Sequence, residues 1–356
     1  MGESVVSWVT LMSTRVQHWL LDEKHASYGL AIMRIGYGTI SLVLTVLYLP
    51  HLSYSFGEAV AWATPLREAS AVNDYPWPLQ SIFSRTDPDE LLLAKLALLA
   101  VVTVLFTLGW RMRVIAPTFL VLWLSFSTIN PVITNTGHYQ TFRVMLIFMV
   151  FADLSRRWSL DARRRSRNPS PLRPSPTFLH MRWSAPTWVS TLFNNAAVLL
   201  IGFQLCIIYV VSALWKLQGA TWHSGVAVYY PLRLEELALF PELNELVWGF
   251  TPLVLLGSWA SVYLQLFFPV LLINRWTRIV ALIGITGMHA AIGLLLSLPF
   301  FSAAMIFADM IFVRSTTWET AQAWVRRQYR RFRPEPEKDK AEKLSPDGKS
   351  EPLLMD

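Results

Sequence analysis

Eight stretches of this chain are apolar enough to cross a lipid bilayer as helices, or fall just short of it. That leaves little room for a soluble fold. A hydrocarbon core about 30 Å thick takes roughly 20 apolar residues in a helix. The stretches run from about Tyr28 to Pro50, Leu91 to Trp110, Val114 to Val132, His138 to Asp153, Leu192 to Trp215, Trp248 to Ile273, Ile279 to Leu298 and Phe300 to Val313. The fourth and the eighth are short, and Pro299 is expected to break or turn the chain between the last two. Composition agrees, since only 15% of the residues are charged, against about 25% in a soluble domain. The expected fold is therefore all-α: a polytopic integral membrane helical bundle of about eight transmembrane helices.

The net charge is +7, and its basic residues gather in the hydrophilic links. Arg111 and Arg113 separate the second and third stretches. Arg156, Arg157, Arg163, Arg164, Arg165, Arg167, Arg173 and Arg182 follow the fourth. Arg275 and Arg278 lie between the sixth and seventh, and Arg314 opens a tail with Arg326, Arg327, Arg330, Arg331 and Arg333. Eight spans put all four clusters on one side, which the positive-inside bias makes cytoplasmic. A multi-pass protein of the plasma membrane with both termini cytoplasmic is expected, with lipid and not nucleic acid as its partner. Three regions are expected: a cytoplasmic or interfacial segment 1–27, a transmembrane domain 28–314 with a basic linker 154–191, and a largely disordered tail 315–356. The first segment makes a poor signal peptide, and Trp8, Leu11, Val16 and Leu20 suit an interfacial helix instead. The outer side then holds two long loops, and the second carries Glu235, Glu236, Glu242 and Glu245.

Soluble-enzyme signatures are missing: no phosphate-binding glycine loop, no nucleophile elbow, no paired-histidine metal spacing. Cys206 is the only cysteine and lies in an apolar run, so no metal is expected. The candidates that remain are polar residues in or beside the membrane. Lys216 closes the fifth stretch, and Tyr209, Ser212 and Lys216 share one helical face. A lysine there either turns into the bundle or snorkels to the interface. His138 opens the fourth stretch, as an interfacial residue or a site member. His289 sits deep in the seventh, where a partner is expected in either a structural or a functional role. Gln265 reads as an interhelical hydrogen-bond donor, and Arg34 and Arg143 need partners. MVFAD (Met149 to Asp153) and MIFAD (Met305 to Asp309) echo each other, and each aspartate is expected to have an arginine nearby.

At four segments the chain resembles the bacterial relatives of vitamin K-dependent gamma-carboxylase, the HTTM (horizontally transferred transmembrane) family. These are MRIGYG, NTGHYQTFRVMLIFMVFADLSRRWSLD, YVVSALWKLQGATWHSG, and FFPVLLINRWTR followed by MHAAIGLLLSLPFFS. The resemblance implies that Lys216 is a base toward a reduced quinone of vitamin K type. Tyr209, Ser212, Ala213, Trp222 and Gly225 complete its motif. It further implies that His138 and His289 are site members, that Tyr209 and Trp222 contact the cofactor, and that Trp158, Ser159 and Asp161 form the W-S-x-D motif. Trp215 stands where the family has a second lysine. No counterpart of the carboxylase's large lumenal domain is expected, and with it no propeptide exosite. The sequence is also similar to sporulation-delaying-protein B-like members, for which a non-enzymatic part in the maturation, export or immunity of a secreted peptide toxin is the alternative.

Overall fold

The computed structural model of the protein describes residues 13–63, 82–84, 86–167 and 186–332. Each apolar stretch is helical over most of its length, and no strand occurs among the described residues. The helices are α1 (Ser27–Tyr48), α2 (Asp89–Leu108), α3 (Met112–Phe126), α4 (Gly137–Phe151), α5 (Thr187–Lys216), α6 (Thr251–Leu271), α7 (Arg275–Leu295) and α8 (Pro299–Asp309). These eight belong to one compact unit ending at Val313, and a second unit from Arg314 holds α9 (Ser315–Phe332). The tail therefore begins as an 18-residue helix rather than as irregular chain, and residues 333–356 of the expected disordered tail lie outside the described residues. Residues 13–21 are helical at the N-terminus, with Trp8 and Leu11 of the expected interfacial helix outside the described residues.

Five helices are long and apolar enough to cross a membrane: α1 continued to Phe56, α2, α5, α6 and α7. A sixth span results if Pro299–Phe312 is taken together with the helix after it. The other members of the expected eight are helical but short. α3 and α4 have 15 residues each and α8 has 11, or about 22 Å and 16 Å of rise. The third stretch is cut because the chain turns after Phe126. Asn130 then accepts a hydrogen bond from the Val132 amide and starts a separate turn at Pro131–Thr134. Pro299 begins α8 at the first helical position, where its missing N–H costs nothing.

Apolar residues line every side of the long helices, as lipid requires. On α5 the buried stripe is Ala197, Ile201, Leu205, Tyr209 and Ala213, while Leu199, Leu200, Phe203, Val211 and Leu214 face outward. The stripe repeats at four-residue spacing, so it winds slowly around the helix and keeps one face to the bundle. On the first helices the core is aromatic: Trp123 stacks on Tyr139, Tyr37 on Phe142, and Phe56 packs on Phe126.

Polar contacts gather at one end of the unit. Arg34 is fully buried and donates to the carbonyls of Leu154, at 2.8 Å, and Trp158. Asp161 accepts from the amides of Arg111 and Met112 at 3.0 and 2.9 Å, which caps α3 from a different part of the chain. Gly109 ends α2 in the left-handed region, and a side chain there would collide with the Arg34 guanidinium. Asn195, near the start of α5, donates to the carbonyls of Trp19, Leu20 and Glu23. Asn194 accepts from the Asp153 amide. The W-S-x-D residues thus sit in a clasp. The α2–α3 turn, the linker after α4 and the chain entering α1 all meet at this end. At the opposite end Tyr139 donates to Tyr48, Asn130 to the Ser55 carbonyl and Asn244 to the Leu295 carbonyl.

Asp153 pairs with Lys24 at 2.7 Å, not with an arginine as expected, although the charge of Arg165 also acts on it. Arg143 donates to the carbonyls of Thr134 and Ser127.

Two tests follow from these ends. In a Cys206→Ala background, Ser166→Cys and Glu242→Cys should label from opposite faces of the membrane, because the whole of α5 lies between them. Labelling of both by one impermeant reagent from the same face would contradict this arrangement. Asp161→Ala strands two backbone donors and should cost about 1–3 kcal/mol, read as a lower Tm of the detergent-solubilised protein.

Candidate functional site

The C-terminal half of α5 carries two polar residues on the bundle side, Tyr209 and Lys216, one stripe position apart from Ala213. Side chains on a helix lean toward its N-terminus. Lys216, on the last residue of α5, therefore aims its amine back along the helix rather than outward to the membrane surface. It donates to Oε1 of Gln265 on α6 at 2.6 Å. The Nζ also lies 5.2 Å from the ring centre of Trp222, within cation–π range. No carboxylate lies within ion-pair distance of it among the described residues. Of the two readings of this lysine, the geometry follows the inward one. Gln265 is an interhelical partner, as expected, but as an acceptor.

Two turns below Lys216, the Tyr209 hydroxyl donates to Oδ2 of Asp309 on α8 at 2.6 Å. It also lies 3.2 Å from Nε2 of His289 on α7. All three are buried, with Asp309 at 0% exposure. The Lys216 charge acts on His289 across the same region. Neither Oδ1 of Asp309 nor Nδ1 of His289 has a hydrogen-bond partner, although both are buried. Asp309 therefore binds a tyrosine and not the arginine expected of it, so the two halves of the MVFAD and MIFAD echo do different things.

His138 begins α4 in the same neighbourhood but on separate contacts. Its Nδ1 is 3.0 Å from the Thr136 hydroxyl, and its Nε2 is buried without a partner. Its ring lies 6.2 Å from Phe300, and the His289 ring lies 5.6 Å from Phe301. The two histidines thus flank the first turn of α8. No hydrogen bond joins His138 to Lys216 or to His289 among the described residues. The structure brings together Lys216, Trp222 and Gln265 as one group and His289, Tyr209 and Asp309 as another, with His138 beside the second across two phenylalanines.

Asp309 was not legible as a member of this site. The sequence signal that points to it is an acid placed inside an apolar helix rather than after it, since an ionisable group at membrane depth is a functional candidate until its partner is known. Tyr37 was missed for the opposite reason. A tyrosine in an apolar run looks like packing, yet its hydroxyl is buried, has no partner and lies within electrostatic reach of Asp309. Among the described residues no group of three or more His, Cys, Asp or Glu is placed to hold a metal ion.

A bundle of long apolar helices enclosing a few paired polar side chains defines a polytopic membrane protein. The HTTM domain matches residues 25–318, most of the chain, and the protein belongs to that family. No curated protein matches the chain, and no solved structure does.

His289→Leu should cost about 1–3 kcal/mol, because the Tyr209 oxygen loses a buried partner. The check is the Tm in detergent. An unchanged or higher value would mean that the histidine is not a bonded part of the bundle.

Proposed function

We propose that this chain is an integral membrane enzyme of carboxylase or quinol-oxygenase type, acting at the outer face of the plasma membrane with both termini cytoplasmic. The observation that carries this reading is the inward Lys216 amine, held by a neutral amide and an aromatic face with no counter-ion among the described residues. A lysine acts as a base only from its neutral amine, and surroundings without a carboxylate favour that form.

A reduced quinone of vitamin K type fits the residues present. Trp222 offers a flat aromatic wall beside Lys216, Tyr209 lies further along the same face, and His138 Nε2 and His289 Nδ1 are buried ring nitrogens without partners. When bound, such a group supplies an acidic hydroxyl. Lys216 takes the hydroxyl proton, and Gln265 holds the amine in place before and after. The two histidines orient the ring through their free nitrogens, and the phenylalanines of α8 exclude water between them. The peptide that such an enzyme would act on approaches from the outer side.

A second reading has one observation in its favour. Glu235, Glu236, Glu242 and Glu245 are all exposed on the segment between α5 and α6. An acidic face of this kind suits electrostatic docking of a secreted peptide, as a non-enzymatic partner in toxin maturation, export or immunity would require.

One substitution separates the two. Lys216→Arg keeps the positive charge but cannot serve as a base, because guanidinium stays protonated. Oxygen uptake by purified protein driven by menadiol should be lost in Lys216→Ala and Lys216→Arg alike. Full function in the Lys216→Arg protein would overturn the base and leave the docking reading.

A further inference from the structure

The hydrogens of the Tyr209 cluster can be counted. A phenol has one proton to give. In the structure Tyr209 gives it to Asp309 Oδ2, at 2.6 Å. Its oxygen can then meet His289 Nε2, at 3.2 Å, only as an acceptor. With Asp309 ionised, His289 therefore carries its proton on Nε2, which leaves Nδ1 as a bare lone pair. That Nδ1 is buried and has no partner, and the histidine is 2% exposed. An acceptor so placed is complementary to a hydroxyl or other acidic donor entering the bundle.

We propose that His289, Tyr209 and Asp309 form a proton relay that takes a proton from a hydroxylic ligand at His289 Nδ1 and stores it on Asp309. The step balances as follows. The ligand O–H breaks and Nδ1–H forms. Nε2–H breaks and its proton passes to the Tyr209 oxygen. The original Tyr209 O–H breaks and Oδ2–H forms on Asp309. No electrons are transferred. The negative charge leaves Asp309 and appears on the ligand oxygen, and His289 and Tyr209 are neutral before and after. That neutrality matters, because Lys216, once it has taken up a proton, acts on His289 as a charge and would oppose an imidazolium. Asp309 touches no ligand in this scheme and is a positioning and storage residue. It fixes the tautomer through Tyr209, as a buried carboxylate fixes a catalytic histidine in hydrolases.

Among the described residues few other ionisable groups surround the relay, and His138 lies across Phe300 and Phe301 from it. Tyr37 faces Asp309 from α1, and Cys206 and Tyr209 face it from α5. Lys216 acts on the His289 end. The identity of the ligand as a quinol rests on the reading of the Lys216 site given above; the relay itself rests on the three bonded side chains.

The test follows both ends of the relay in the full chain in nanodiscs without ligand. Isotope-labelled histidine NMR reads the His289 tautomer, assigned against the His289→Leu protein, and infrared spectroscopy reads the Asp309 carboxyl stretch. On acidification the protonated-carboxyl band should rise in the same step in which His289 changes from the Nε2–H to the Nδ1–H tautomer. In Asp309→Asn, which keeps the shape of the side chain, the tautomer change should be absent. In Tyr209→Phe the ring and the carboxyl should titrate in separate steps. A His289 that keeps one tautomer while Asp309 titrates would overturn the relay, as would a tautomer change that survives in Asp309→Asn. The change should be intact in Lys216→Ala. Loss of menadiol-driven oxygen uptake in that protein and loss of the tautomer change in Asp309→Asn are therefore separate results, and failure of the quinol reading leaves the relay to its own spectra.

Discussion

The Arg34 guanidinium is the contact on which the bundle closes. It comes from α1, is fully buried, and is bonded to carbonyls of the linker after α4. A charge in that position is stable only with several fixed acceptors. The linker therefore has to fold back under α1, and in doing so it brings Asp161 to the start of α3. Asn194 and Asn195 complete the arrangement by tying the start of α5 to the chain entering α1. Helices that share only apolar faces in lipid have little to choose between neighbours, because lipid tails are as apolar as leucine. The polar clasp supplies the preference that the apolar faces lack.

From that fixed end the helices carry polar groups to defined depths. α5 presents Tyr209 and Lys216 on its buried side, α6 presents Gln265, α7 presents His289 and α8 presents Asp309. Each is answered by a group on another helix, so the interior polar contacts also join α5 to α6, α7 and α8. Structure and chemistry use the same side chains here. A residue such as Tyr209 cannot be assigned to packing or to function alone, since its hydroxyl bonds two helices and its ring packs edge-on against Phe268.

Much of the fold was legible in the sequence, because long apolar runs report helices directly. The positions of His289 and Gln265 inside the bundle were legible too, since a polar residue in such a run has to find company, whereas the run left Lys216 open between the bundle and the interface. What the sequence hid was which partner each would find. Asp153 and Asp309 look alike in their five-residue contexts, yet one meets Lys24 and the other Tyr209. The pairing depends on which helices become neighbours, and that is decided by contacts between residues more than a hundred positions apart, such as Arg34 with Leu154. Span length was missed for a local reason: Ser127, Thr128, Asn130 and Pro131 interrupt the third stretch, and the backbone turns there.

α5 also works as a measuring rod. Its lower part is pinned by Asn195 to the chain before α1, and its last residue is Lys216. The helix between them rises about 32 Å, close to the thickness of a hydrocarbon core. The depth of the amine is thus set by counting residues from a fixed foot and not by the membrane boundary beside it. One residue added to the rod would lift Lys216 by about 1.5 Å and swing it by about 100° around the axis. It would turn from Gln265 to the flank of the helix between buried Ala213 and exposed Leu214, away from its partner. The length of this helix is therefore a specification of the site, written mostly in apolar residues.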